Sequence, residues 1–326
     1  TGSAAEIIAI LTGGTTTIAT DVNFIIDEDA SAANILTIAA ATTGEITATL
    51  ISGETTLDLS GSTASKNTIT LNDDGVTVTG SNQVDEITVG SGTDILNLGA
   101  GADIVNVNAA DGNGDIINTE AGADNIFIND GAVGATDVIT IDGGDDADVL
   151  TVSGTNNFSA SPAFDGIETI EVNSNVTFTV DQIAAAGAAI VVAGGGSGEH
   201  AITMTGSGSV SLTALTGITS LTVATGIEVT LSDVAVNDLV ATVETATGLG
   251  VTAGLSLASG AVVAVSAAAK TALTSGTTPA IAVADLVYAI KDTAANIVAE
   301  FDNDATYISG ATSVTIDAGS AAAADL

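Results

Sequence analysis

The sequence predicts an all-β protein: a parallel β-roll or β-helix solenoid flanked by further short-strand segments, with at most one or two short helices. The first indication is a repeated unit in which a glycine-rich turn leads to an aspartate and, two residues later, to an aliphatic residue. The second is a series of short runs of Val, Ile, Leu and Thr separated by Gly, Ser, Asn and Asp. The third is a core with no Trp, 2 Tyr and 6 Phe, because a thin aliphatic interior suits stacked coils.

The repeated unit occurs seven times within residues 80–152. Its aspartates are Asp85, Asp94, Asp103, Asp115, Asp124, Asp137 and Asp148. The second residue after each is Ile87, Leu96, Val105, Ile117, Ile126, Ile139 and Leu150. Strand side chains alternate between faces, so we expect the aliphatic residues to point into the core. The steps between aspartates are 9, 9, 12, 9, 13 and 11 residues, and the longer steps indicate insertions.

The chain divides by pattern into a β-rich segment 1–79, the aspartate array 80–152 and a β-rich segment 153–326. Strands are predicted at 24–26, 35–38, 45–50, 57–59 and 68–71, and later at 176–180, 190–192, 201–204, 221–223 and 228–231. Leu286, Ile290, Ile297 and Phe301 fall near helical spacing, and 233–244 is a second candidate helix. Phe158, Pro162 and Phe164 are expected to plug the end of the solenoid.

Charge excludes several classes of partner. The chain has 40 acidic and 3 basic residues, no arginine and a formal net charge of −37. Nucleic acids and anionic membrane surfaces require a basic face, so both are excluded as partners. No run of about 18 apolar residues predicts a membrane span. Disorder is not expected, because 46% of the residues are apolar and the mean hydropathy is +0.52.

The array itself predicts divalent cations. Residues 80–152 contain 14 carboxylates and no Lys or Arg, so no ion pair can form within them. Calcium takes six to eight oxygen ligands, and glycine turns let backbone carbonyls point inward beside the aspartates. The predicted ligand residues are Asp85, Asp94, Asp103, Asp111, Asp115, Asp124, Asp137, Asp142, Asp145 and Asp148, with Gly90, Gly92, Gly99, Gly101 and Gly143 shaping the turns.

Two resemblances extend this interpretation. The tandem units Gly90-Ser91-Gly92-Thr93-Asp94 and Gly99-Ala100-Gly101-Ala102-Asp103 resemble the RTX nonapeptide, and so does the turn 143–148. Residues 143–172 resemble a segment of the calcium-dependent surface-layer proteins of Gram-negative bacteria. The resemblance implies a calcium cofactor, type I secretion, an extracellular location on the cell surface and self-assembly into a homo-oligomeric lattice, with cell-surface polysaccharide as a further partner.

Catalysis is not expected. The chain has no Cys, no Arg and a single histidine, His200, so the usual nucleophile–base pairs are lacking. The alternatives are the repeat region of a secreted adhesin, the non-catalytic RTX module of a secreted enzyme and, least favoured without Trp, a carbohydrate-active β-helix. A plainer interpretation makes the aspartates solvated turn residues. The chain begins at Thr1 with no visible signal peptide, so a fragment or processed product is expected.

Overall fold

The computed structural model describes residues 1–13, 19–108, 114–186, 189–191, 201–212, 215–218, 220–223, 227–231, 254–257, 262–265, 288–292 and 313–316. Parallel strands form a β-solenoid of about eight turns, which confirms the predicted fold class. Three short helices, rather than one or two, occur among these residues. The chain forms two compact units, Thr1–Ile170 and Glu171–Leu326.

The first unit contains two helices and a series of short strands. They are α1 (Ala4–Thr12), β1 (Phe24–Ala30), α2 (Ala32–Ala39), β2 (Glu45–Leu50), β3 (Thr56–Asp58), β4 (Lys66–Thr70), β5 (Thr77–Thr79), β6 (Val84–Thr88), β7 (Ile95–Asn97), β8 (Ile104–Val107), β9 (Ile116–Asn118), β10 (Asn125–Ile128), β11 (Thr140–Asp142), β12 (Val149–Val152) and β13 (Asn156–Asn157). Strand β14 (Thr169–Val172) follows across the division between the units.

Each coil contributes one strand to each of two sheets. The first sheet has the order β1-β2-β4-β6-β8-β10-β12-β14, and the second has the order β3-β5-β7-β9-β11. From β2 to β12 consecutive strands therefore alternate between the sheets, and each strand pairs in parallel with the equivalent strand of the next coil. Two nine-residue units make one 18-residue coil, which is the spacing between the paired residues Asn67 and Asp85.

The interior is built from columns of aliphatic side chains. In the first sheet Ile87 pairs with Val105, Val105 with Ile126 and Ile126 with Leu150. In the second sheet Leu96 pairs with Ile117. All seven aliphatic residues that follow the aspartates are completely buried, as predicted. Because strand side chains alternate, the residues between them face outward, and this keeps the columns in register.

The N-terminal segment departs from the prediction at two helices. Strands occur where 24–26, 45–50, 57–59 and 68–71 were predicted, but 35–38 lies in α2, so that strand prediction is wrong. The Ser31 side chain caps α2 by accepting a hydrogen bond from the Asn34 backbone amide. Ile35 and Ile38 then fall on one buried helical face. Helix α1 begins with a capping box between Ser3 and Glu6.

Two aromatic side chains lie inside the first unit. Phe158 and Phe164 are buried and pack edge to face, with ring centroids 5.4 Å apart and an interplanar angle of 89°. They follow β13, and β14 then adds another strand beside β12. The stack therefore continues past this pair, and the prediction that these residues plug its end is wrong.

The second unit is again parallel β. After α3 (Val180–Ala186) and its preceding strand, β15 (Val176–Thr179), the strands are β16 (Ala189–Val191), β17 (Ala201–Thr205), β18 (Gly208–Leu212), β19 (Leu215–Thr216), β20 (Ser220–Val223), β21 (Ile227–Leu231), β22 (Gly254–Leu257), β23 (Val262–Val265), β24 (Tyr288–Asp292) and β25 (Ser313–Ile316). Within this unit the sheet orders are β15-β17-β20-β22, β18-β21-β23-β24-β25 and β16-β19.

The five strands predicted between 176 and 231 are confirmed. The predicted late helix is wrong at Ile290, because β24 pairs in parallel with β23 and β25. Leu286, Ile297, Phe301 and 233–244 lie outside the described residues. No helix in the described part of the chain is long and apolar enough to cross a membrane.

Candidate functional site

Four aspartates lie directly above one another where the chain enters the first sheet. This first row consists of Asp85, Asp103, Asp124 and Asp148. Each aspartate is at most 1% exposed. The row forms because the strands that follow the aspartates pair in register. The residue two positions before each paired aliphatic residue therefore lies at the same place in every coil. The sequence predicted these four residues, and the structure brings them together.

Hydrogen bonds connect each member of the first row to the next. The backbone amide of Asp85 donates to Oδ1 of Asp103 at 2.7 Å. The amide of Asp103 donates to Oδ1 of Asp124 at 2.6 Å, and that of Asp124 donates to Oδ1 of Asp148 at 2.8 Å. One carboxylate oxygen of each acceptor is thus held by a buried backbone amide, which fixes the orientation of the carboxyl group.

Two residues that the sequence analysis missed complete the first row. Asn67 lies at one end, where its Nδ2 donates to Oδ1 of Asp85 at 2.6 Å. Glu168 lies at the other end, where its Oε2 accepts a hydrogen bond of 2.7 Å from the Asp148 amide. Both have a buried aliphatic residue two positions later, Ile69 and Ile170. A pattern of any polar residue two positions before a buried aliphatic residue would have identified both.

The second carboxylate oxygen distinguishes the members of the row. Oδ2 of Asp85 accepts a hydrogen bond of 2.6 Å from the Ser81 amide. Oδ2 of Asp103, Asp124 and Asp148 is buried and accepts no hydrogen bond from the described part of the chain. A buried ionised oxygen without a donor is costly. These three atoms therefore mark positions where a proton or a cation would stabilise the fold.

Burial perturbs the acidity of the whole first row. Desolvation is the main cause that raises the pKa of Asp103 to about 8, and the negative charges of Asp85 and Asp124 add to it. Desolvation likewise raises the pKa of Asp148 to about 6. It also raises the pKa of Asp85 and of Asp124, although hydrogen bonds to each carboxylate oppose the change. Stacked carboxylates that are all ionised repel one another.

Glycine precedes these aspartates for a steric reason. A Cβ atom on Gly101 would lie 2.8 Å from Oδ1 of Asp103, and one on Gly143 would lie 2.8 Å from Oδ2 of Asp148. Each carboxylate therefore folds back over its own turn, into space that a side chain would fill. This is a steric reason for glycine at positions 101 and 143, and their part in a metal site stays a prediction.

A second row lies where the chain enters the second sheet, and it consists of Asp94 and Asp115, both buried. Oδ1 of Asp94 accepts from the Val76 amide at 2.6 Å, and Oδ2 accepts from the Gly90 amide at 3.1 Å. The Asp94 amide donates to Oδ1 of Asp115 at 2.8 Å. The bonding repeats that of the first row. A side chain on Gly90 or Gly92 would collide with the backbone of the preceding coil, so these turns stack closely.

Asp137 does not join the second row. Ile117 pairs with Ile141, so the position above Asp115 belongs to Ile139. Asp137 is half-buried, and its Oδ2 accepts from the Gly134 amide of its own turn at 2.9 Å. An insertion in this turn shifts the aspartate away from the row although the local pattern is preserved.

The remaining predicted residues are more peripheral. Asp142 is half-buried, and its Oδ1 accepts from the Gly144 amide at 3.0 Å. Asp145 is exposed, and Gly99 is half-buried in the turn leading to Asp103. Asp111 lies outside the described residues. Lys66 pairs with Glu86 at 2.6 Å, so the array finds a cationic partner only in the neighbouring segment among the described residues.

The buried carboxylates suit a calcium site completed by backbone carbonyls better than a site made of carboxylates alone. In the described residues no three Asp, Glu or His side chains already form a metal-binding group. Calcium, however, also takes backbone carbonyl oxygens as ligands. Stacked turns that each offer one buried carboxylate can supply the remaining oxygens from their backbone. The unpartnered Oδ2 atoms fit such a cation.

Comparison with protein-family models, with curated proteins and with solved structures found no match to this chain.

Proposed function

We propose that this chain is a structural repeat protein of the bacterial cell surface whose solenoid is ordered by calcium. The observation that carries the proposal is the set of three stacked Oδ2 atoms, on Asp103, Asp124 and Asp148, that are buried without a hydrogen bond from the described residues. Calcium, when bound, supplies the positive charge that the array lacks. Asp85 and the second row, Asp94 and Asp115, would complete the ligand set.

The chain's own residues explain why folding would depend on the cation. Backbone amides fix Oδ1 of Asp103, Asp124 and Asp148, so these carboxyl groups cannot turn outward while the coils remain stacked. Without a cation the folded chain must keep these groups protonated or tolerate their repulsion. A ligand that binds only the folded state stabilises it by about 2.7 kcal/mol per site at a concentration of 100 Kd.

The proposed location follows from affinity. Calcium modules that work outside cells bind with Kd of about 10⁻⁴–10⁻³ M. A chain with such sites would remain unfolded where calcium is scarce and fold after export, which suits type I secretion. The resemblance to surface-layer proteins supports the same location.

Self-assembly is the proposed role at the surface. Protomers with a formal net charge of −37 repel one another strongly. Exposed acidic turn residues such as Asp73, Asp74 and Asp145 place part of this charge on the surface. Cations shared between protomers would remove the repulsion, so calcium would control both folding and lattice formation. Cell-surface polysaccharide is proposed as the attachment partner.

Electron microscopy and light scattering of the purified chain, with calcium and with a chelator, test this role. We expect ordered sheets or filaments in calcium and monomers in chelator. A chain that gains structure in calcium but stays monomeric would instead be a repeat module of an adhesin or of a secreted enzyme. A chain unaffected by calcium in both respects would contradict the proposal.

Calorimetry tests the ligand assignment. The double variant Asp94→Ala/Asp103→Ala removes one carboxylate from each row, and we expect it to bind fewer calcium ions than the wild type. Asp137→Ala is the matched control, because it removes an aspartate with a similar local sequence outside the rows. Unchanged stoichiometry in the double variant would remove both residues from the ligand set.

A further inference from the structure

One turn of the first row, 144–148, has an aspartate where two aligned turns have glycine. Isolated bridges align Ala100 with Ala121 and Ala121 with Asp145. The next residues, Gly101, Gly122 and Asp146, therefore occupy equivalent places. Asp146 stands where the other two turns have glycine, and its φ is +89°. An aspartate in this region is uncommon, and glycine would adopt it without strain.

Asp146 adds a negative charge to the turn that leads into Asp148. Asp148 follows it by two residues, and Oδ1 of Asp148 accepts a hydrogen bond of 2.8 Å from the Asp124 amide. Asp146 is itself exposed, so packing does not fix its side chain. Its carboxyl group belongs to the same turn as that of Asp148, which the Asp124 amide holds in place. In a fold without cations this arrangement is unfavourable in both backbone strain and electrostatics.

A second observation points to a ligand at the same turn. Asp124 and Asp148 are at most 1% exposed, and Oδ2 of each accepts no hydrogen bond within the described residues. Oδ2 of Asp148 faces the turn, since a Cβ atom on Gly143 would lie 2.8 Å from it. Glu168, whose Oε2 accepts from the Asp148 amide, adds another negative charge.

We propose that Asp146 is an additional cation ligand, and that the turn 144–148 is the tightest calcium position of the first row. This inference rests on the proposed function. The turns before Asp103 and Asp124 have Gly101 and Gly122 at this position, so their cations would have one carboxylate fewer. Affinity in calcium loops rises with the number of charged ligands. A bound cation would offset the strain and repulsion that Asp146 introduces.

Calcium chloride titrations of the full-length chain by calorimetry test the inference. Asp146→Asn keeps the size and removes the charge, and Asp146→Gly also relieves the backbone. We expect each to weaken the tightest binding event by about tenfold. Asp145→Asn removes the charge of the adjacent exposed residue and should have a much smaller effect. Glu28→Gln, at an exposed position of β1, controls for net charge and should match the wild type.

Thermal unfolding provides a readout that a merely structural role would not produce. In chelator Asp146→Gly should raise the midpoint above that of the wild type, because glycine suits the positive φ. In calcium the same variant should gain less from the cation than the wild type does. If Asp146→Asn and Asp145→Asn weaken binding equally, or Asp146→Gly leaves the calcium gain unchanged, the inference is overturned while the proposed function stands. If the wild type itself binds no calcium, both are overturned.

Discussion

The first and second rows share a local pattern, but the first contains four aspartates and the second only two. The cause is the number of residues in the turns that lead into each row. From the second row to the first the step is always 9 residues: Asp94 to Asp103, Asp115 to Asp124, and Ile139 to Asp148. From the first row to the second it grows from 9 to 12 and then to 15 residues. All insertions therefore fall in the turns that enter the second sheet. Register between coils, more than the motif within a turn, decides which aspartates stack.

The largest expected effect is the pH dependence that the first row gives the calcium-free chain. A carboxyl whose pKa is raised in the folded state contributes stability that is complete below its unfolded pKa, near 3.9, and is lost as the pH rises through its folded pKa. The pKa of Asp103 is about 8 and that of Asp148 about 6. We therefore expect the calcium-free unfolding free energy to fall from about pH 4 to about pH 8.

Urea denaturation of the calcium-free chain across this range checks the sign. Asp103→Asn should remove the part of the decline centred near the Asp103 pKa of about 8. A calcium-free chain that becomes more stable as the pH rises would show that the first row is not a stack of desolvated carboxyls.

Ile139→Asp should extend the second row by one position. Ile139 is completely buried at the place aligned with Asp115. A carboxylate there costs several kcal/mol when it has no partner. In chelator we expect a loss of that order, and calcium should recover part of it and raise the bound stoichiometry by one. Ile139→Asn is the control, because asparagine has the shape of aspartate without its charge. Equal responses of the two variants to calcium would show that alignment with Asp115 does not create a cation site.

Asp124→Asn and Asp137→Asn make the same change inside and outside a row. The side-chain oxygen of an asparagine at 124 can still accept a hydrogen bond from the Asp103 backbone amide. The natural Asn67 shows that a side-chain amide is tolerated in the row. In calcium at about 100 Kd, Asp124→Asn should lose about 2.7 kcal/mol of unfolding free energy through one lost ion. Asp137→Asn should stay within about 0.5 kcal/mol of the wild type. Chemical denaturation measures both, and equal losses would mean that the rows do not define the sites.

The smallest effect concerns one strained residue in the first-row turns. Glu120 has a φ of +71°, whereas Gly99 and Gly144 hold the equivalent places with φ of +95° and +92°. Glu120→Gly should stabilise the fold by about 1 kcal/mol, because a left-handed conformation costs a residue with a Cβ atom about that much. The gain should appear equally in chelator and in calcium, since no ligand is removed. A gain confined to calcium would assign Glu120 a role in the site.

The sequence revealed the repeat but not its register. The seven aspartate–aliphatic pairs predicted the coil and its core, since every aliphatic member is buried. Asp137 was misleading because a pattern within one turn cannot show how many residues precede the next stacked position. Asn67 and Glu168 were missed because the search required aspartate. Residues 35–38 suggested a strand, whereas the cap at Ser31 begins a helix.

Far-UV circular dichroism during a calcium titration of the metal-stripped chain, near pH 8, tests the central claim most directly. The account predicts a weakened β signal and a low melting midpoint in chelator, both restored cooperatively as calcium reaches about 10⁻⁴–10⁻³ M. An identical spectrum and melting midpoint in chelator and in calcium would contradict it.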